Sequence, residues 1–146
     1  MRRVRTLFGL PAPVRRLFVR ALALTTLFRL GLWLLPFSRL KALDSPAKRS
    51  IRGDQPCSPA RISWAVQTAS RYVPGATCLV QALTAKALLE RGGYQARLRV
   101  GVAKKGCDQF EAHAWVESAG AIVVGGSGVG RYAALLSIEQ EGTQES

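Results

Sequence analysis

Three cysteines (Cys57, Cys78 and Cys107) and a single histidine (His113) are the side chains here with nucleophile and base chemistry. One pairing among them stands out. Cys78 follows Pro74-Gly75-Ala76-Thr77, where a Pro-Gly break ends one helix and a small polar residue opens the next. A thiol on the first helical turn has its thiolate stabilised by backbone N–H groups without helical acceptors and by the positive end of the helix dipole. His113 lies in Glu111-Ala112-His113-Ala114-Trp115-Val116-Glu117, a stretch that alternates like a strand. A cysteine at a helix start with a histidine on a later strand is the pattern of a thiol nucleophile and its general base. The competing use of a free cysteine is packing, as a small hydrophobe. Cys57, in a linker, and Cys107, in a hairpin turn, keep that reading; the helix start separates Cys78 from them. For a lone strand histidine the alternative is an ordinary satisfied or exposed residue.

The elements that must position this pair can be read from hydrophobic spacing. Pro11-Ala12-Pro13 reads as a loose lead-in. From Val14, the positions Leu17, Phe18, Ala21, Leu22, Thr25, Phe28, Leu32 and Leu35 recur at threes and fours, predicting a helix stopped by Pro36. Residues 44–57 read as a linker. Ser58-Pro59 is a strong helix start, and Ile62, Ala65, Val66, Ala69, Tyr72 and Val73 form a single apolar stripe up to Pro74-Gly75. The helix over 78–91 is apolar on most of its circumference, as a central buried helix is. Only Lys86/Glu90, an i,i+4 pair, and Thr84/Arg91 break its surface. Beyond Gly92-Gly93 the period becomes two. Gln95–Val102, Phe110–Glu117 and Ala121–Val124 predict three strands in an antiparallel meander, turned at Lys104-Lys105-Gly106 and at Ala119-Gly120. A short element around Arg131–Ile138 follows. The fold class expected is α+β: a buried helix carrying the cysteine, packed on a small antiparallel sheet carrying the histidine, with an N-terminal helical arm. The domain boundaries that follow are 1–50 for the basic amphipathic arm, 58–138 for the catalytic domain and 139–146 for an acidic tail.

Charge is concentrated. Of 21 Lys/Arg and 9 Asp/Glu, residues 1–50 hold 11 and 1, a balance of +10; the rest holds 10 and 8, a balance of +2. The basicity therefore belongs to the arm, whose leucines and phenylalanines sit at helical spacing with no base-stacking face, which argues against nucleic acid. Arg20 and Arg29 interrupt a stretch nearly long enough to cross a bilayer, and each costs about 2.5–3.5 kcal/mol near its centre. Residues 14–35 are thus expected to cover the domain, a protein partner or a membrane surface. Free thiols and the lack of a clean signal-peptide pattern point to a cytoplasmic protein, with membrane association through that helix as the variant. Cys57, Cys78, Cys107 and His113 show none of the paired spacing of a zinc site, so neither a metal nor a cofactor is expected. Gly125-Gly126-Ser127-Gly128-Val129-Gly130 lacks the Lys-Ser/Thr of a phosphate loop and reads as a rim loop.

Cys78-Leu79-x-x-Ala82-Leu83, Gly93-Tyr94 before a strand, and His113-Ala114-Trp115-Val116-Glu117 before a short strand resemble the transglutaminase-like cysteine proteases of lasso peptide biosynthesis. The resemblance spans about residues 60–135 and is to the leader peptidases, in particular the stand-alone form of the B protein's protease half. It implies removal of the leader from a ribosomally made precursor peptide, with a separate leader-recognition protein and an ATP-dependent lasso cyclase as partners. It implies a papain/transglutaminase-like core, with Cys78 as nucleophile and His113 as general base. The family's fused members place an aspartate on the strand after the histidine; here that place falls in Val124-Gly125-Gly126, and no acid lies between Glu117 and Glu139. Glu117 is about 13 Å along the strand from His113 and Glu111 about 6.6 Å, at about 3.3 Å per residue. The orienting third member is therefore a backbone carbonyl near Gly125, a water, or an acid from elsewhere. Two alternatives share these residues: a non-catalytic adaptor of the same maturation complex, and an acyl transferase using the same dyad.

Overall fold

The computed structural model describes residues 9–34, 57–126 and 133–138. Within them, helices α1 (Ala12–Leu34), α2 (Pro59–Ser70) and α3 (Cys78–Arg91) precede strands β1 (Arg97–Lys105), β2 (Gln109–Ser118), β3 (Ala121–Val124) and β4 (Ala133–Ile138). The strands form one antiparallel sheet in the order β3-β2-β1-β4. This is the expected α+β class. The linker over 44–56 and the tail over 139–146 lie outside the described residues.

The middle of the molecule is α3. Its N-cap is Thr77, whose hydroxyl accepts from the Val80 N–H at 3.4 Å. Val80, Ala82, Leu83, Thr84, Ala85, Leu88 and Leu89 are buried, because α1 and α2 cover one side and β1, β2 and β3 the other. Alanines Ala21, Ala65, Ala69, Ala82 and Ala85, all fully buried, let the three helices approach closely. Lys86 is buried as well, at 1% exposure, with its ammonium 2.7 Å from Glu90 Oε1. Burial of that charge is tolerable only because it is paired. The i,i+4 pair expected from the sequence therefore has its lysine inside the fold and its glutamate at the edge of the solvent.

Helix α1 shares this core. Leu17, Phe18, Ala21, Leu24, Thr25 and Phe28 are buried against α2 and α3, and Thr25 Oγ1 lies 3.4 Å from Thr84 Oγ1 across the α1–α3 contact. Of the surfaces the helix could cover, it covers its own domain. By length and composition α1 could also cross a bilayer, and Val19, Leu27, Leu30, Trp33 and Leu34 are exposed on its far side. It begins two residues earlier than its spacing suggests. Pro13 falls in the first turn, where a missing N–H costs nothing, and the Arg15 N–H already donates to the Pro11 carbonyl at 3.0 Å.

Two further features differ from the sequence expectation. β1 runs through Lys104 and Lys105, which pair with Phe110 and Gln109, so the hairpin turns at Gly106–Asp108. The short element near the C-terminal end is a fourth strand, pairing with β1 from Leu98↔Ile138 to Val102↔Ala133. That pairing joins segments more than thirty residues apart, a contact no local periodicity encodes.

If α1 is integral to the core, its two faces respond differently to truncation. Phe28→Ala is expected to lower unfolding stability by about 3–5 kcal/mol. Leu27→Ala, at an exposed position, should stay within about 0.5 kcal/mol of the parent. Urea unfolding followed by circular dichroism measures both; equal small effects would mean that α1 does not share the core.

Candidate active site

Cys78 occupies the first position of α3, behind its Thr77 cap. Thr77 satisfies the Val80 N–H with its side chain and the Gln81 N–H with its carbonyl, at 3.4 and 3.0 Å. The Cys78 and Leu79 N–H groups have no acceptor within the helix, as geometry requires of a first turn. The thiol is half-buried against the core.

The turn that delivers Cys78 is set by α1. Gly75 adopts a left-handed φ of +72°, and a Cβ there would lie 2.7 Å from Arg29 Nε. The same Nε donates to the Pro74 carbonyl at 3.3 Å. Arg29, which in the sequence only interrupts an apolar stretch, thus holds the loop before the cysteine. Apolar spacing carries no sign of that role.

His113 lies midway along β2, opposite Gly101 of β1, which presents no side chain to the ring. The β1–β2 register is regular throughout, so side chains alternate strictly. Ala114 and Val116 join the helix-packed core with Leu98 and Val124. His113, Trp115 and Glu117 project from the other side of the strand. Trp115 is buried there at 2% exposure, its ring 6.3 Å from the imidazole and inclined by 22°. Its indole N–H donates to Glu117 Oε1 at 3.0 Å, and Arg99 Nε donates to Glu117 Oε2 at 2.9 Å. Glu117 is therefore committed to Trp115 and Arg99, as its distance along the strand implied.

The imidazole reaches along the sheet toward the end of β3, where His113 Nε2 lies 2.7 Å from the Gly125 carbonyl oxygen. Gly125 continues beyond Val124, the partner of Val116. The strand end is tied down from the helical side: Ser63 Oγ of α2 donates to the Val123 carbonyl at 2.7 Å, and Gln67 Nε2 donates to Ser63 Oγ at 3.0 Å. Neither Ser63 nor Gln67 carries a sequence signal beyond its helical position.

Cys78 sits on α3 and His113 on β2, two elements packed together, but His113 projects from the side of β2 opposite Ala114 and Val116, so the ring is not aimed at the face α3 covers. Among the described residues the structure records no hydrogen bond between the thiol and the ring. Cys57 is half-buried against the core and Cys107 exposed in the β1–β2 turn, both outside this arrangement. Among the described residues no group of three or more His, Cys, Asp or Glu side chains gathers as metal ligands would. Comparison with curated proteins and with solved structures gives no match. A family model described as the transglutaminase-like superfamily matches residues 20–137, which take in most of α1, the cysteine helix, the first three strands and β4 up to its last residue, and the chain belongs to that superfamily.

Proposed function

We propose that the protein is a cysteine peptidase that removes the leader from a ribosomally made lasso peptide precursor before macrocyclisation. The single observation carrying the reading is the cysteine on the capped first turn of the central helix, in a transglutaminase-like chain whose only histidine sits on the packed strand. Members of that superfamily are usually cysteine peptidases or transglutaminases, and some are inactive. The choice of a precursor peptide rests on the Cys78-Leu79-x-x-Ala82-Leu83 and His113-Ala114-Trp115-Val116-Glu117 motifs.

The chemistry assigned to the residues is as follows. Cys78 Sγ attacks the scissile carbonyl carbon while His113 takes the thiol proton. The tetrahedral oxyanion accepts from the Cys78 backbone N–H, one of the two first-turn donors left without a helical acceptor. Collapse expels the new amine, which takes its proton from His113 and leaves a thioester on Cys78. Water, deprotonated by His113, then hydrolyses the thioester and frees the enzyme. The ring and the thiol must come within hydrogen-bond reach, about 2.6–3.2 Å, once substrate is bound.

The proposed partners are a leader-recognition protein that delivers the precursor and an ATP-dependent cyclase that consumes the product. The setting is cytoplasmic, with α1 as the element that would touch a membrane. The rival is an adaptor of the same complex with no chemistry of its own, favoured by the absence of an acidic residue between Glu117 and Glu139.

With precursor and recognition protein supplied, Cys78→Ala is expected to abolish leader cleavage, and His113→Ala to slow it by about 10²–10⁴-fold. Mass spectrometry of the precursor checks both; cleavage at parental rate by either variant rejects the mechanism. Thiol labelling separates enzyme from adaptor. Near pH 7, iodoacetamide should modify half-buried Cys78 ahead of exposed Cys107 if the helix start activates it. Labelling in order of exposure, Cys107 first, would favour the adaptor.

A further inference from the structure

His113 has one orienting contact that chemistry makes directional. A carbonyl oxygen accepts hydrogen bonds and cannot donate them. The 2.7 Å contact between His113 Nε2 and the Gly125 oxygen therefore places the ring proton on Nε2. In the neutral ring the lone pair is then on Nδ1, which becomes the basic nitrogen. We propose that the Gly125 main-chain carbonyl takes the place of an orienting carboxylate, fixing the His113 tautomer with its proton on Nε2 and leaving Nδ1 as the basic nitrogen. The inference deepens the peptidase reading and rests on it for the identity of the base. The tautomer itself can be read without substrate.

Three further observations support a built contact. First, position 125 strongly favours glycine: its φ is +85°, and a Cβ there would lie 2.7 Å from the Ala114 oxygen and 3.0 Å from both Cα and Cβ of Trp115. The Gly125 backbone thus presses on the main chain of the histidine strand, close enough for its carbonyl to meet the ring. Second, the strand is anchored two residues earlier, because Ser63 of α2 donates to the Val123 carbonyl at 2.7 Å. Third, the neighbouring side chain on the same face of β2 is itself fixed. Trp115 lies nearly parallel to the imidazole and is held by Glu117, which Arg99 pins from the neighbouring strand. The carbonyl contact sets the tautomer.

Gly125 is accordingly a positioning residue, acting through His113. A carbonyl orients as a carboxylate does and lacks its negative charge, so it stabilises the imidazolium less. The site is expected to depend more on the thiolate and the helix start for charge stabilisation than a site with a full triad does.

The chain's single histidine makes the test unambiguous. Nitrogen-15 NMR of histidine-labelled parent protein, above the pH at which the ring is neutral, should show Nε2 protonated and Nδ1 bare. A dominant Nδ1–H tautomer, or rapid exchange between the two, overturns the proposal, and no variant is needed for that outcome. Gly125→Ala should shift the spectrum toward mixed tautomers and lower kcat for leader cleavage by about 10–100-fold, the range typical of lost orienting partners, with KM little changed. A folded variant that keeps the parental tautomer and kcat also overturns it. If the parent is Nε2-protonated yet His113→Ala cleaves at the parental rate, the peptidase reading fails while the contact stands. If His113→Ala is inactive and the tautomer is Nδ1–H, the dyad stands and Gly125 has no part in it.

Discussion

Burial of α3 on nearly every side is the constraint from which the rest of the molecule follows. A helix that apolar cannot face water, so helices must cover one flank and a sheet the other. Two helices and three strands do so here, and the small-residue contacts set how closely they approach. The same burial explains two costly features. Lys86 is paired with Glu90, and Thr84 returns its hydroxyl to the Val80 carbonyl at 2.8 Å. Both are polar groups on a helix that has no solvent side to give them.

This constraint also sets the direction of the helix start. Because the body of α3 is enclosed, its N-terminal end is where backbone donors can meet a ligand, and Cys78 stands there. The turn before it is clamped by Arg29, from the helix that closes one flank of the core. Packing and site are therefore mechanically linked: the helix whose apolar side completes the core also holds the loop that aims the thiol. Membership of the transglutaminase-like superfamily fits this layout, since the match begins within α1 and not at the cysteine helix.

Much of the scaffold was legible in the sequence because its signals are local. Ser58-Pro59 marks a cap and a first turn, Thr77-Cys78 marks another, and period-two alternation locates the β1–β2 hairpin and β3. What stayed hidden depends on contacts distant in sequence. The fourth strand pairs with β1 across the sheet. Arg29 reads as an interruption because its partner, the Pro74 carbonyl, lies 45 residues away. The face of His113 could not be assigned until Ala114 and Val116 were seen to face the helices. The missing acid was visible as an absence after Glu117, and the stretch around Gly125 was among the places left for its substitute. Which atom met the ring depends on one left-handed backbone torsion, which a residue name permits but does not dictate.

The Gly125 carbonyl has a consequence for how this site could change over generations. A triad built from three side chains can lose its third member by any codon change at that position. An acceptor made of main chain is present whatever residue is encoded, so no substitution removes the atom itself. Only a change that displaces the strand can break the contact. At Gly125 nearly every replacement would do that, because a Cβ there collides with the backbone of Ala114 and Trp115. The vulnerability moves from the chemistry of a side chain to the shape of a turn, and tolerance at this position becomes a question of steric room rather than of charge.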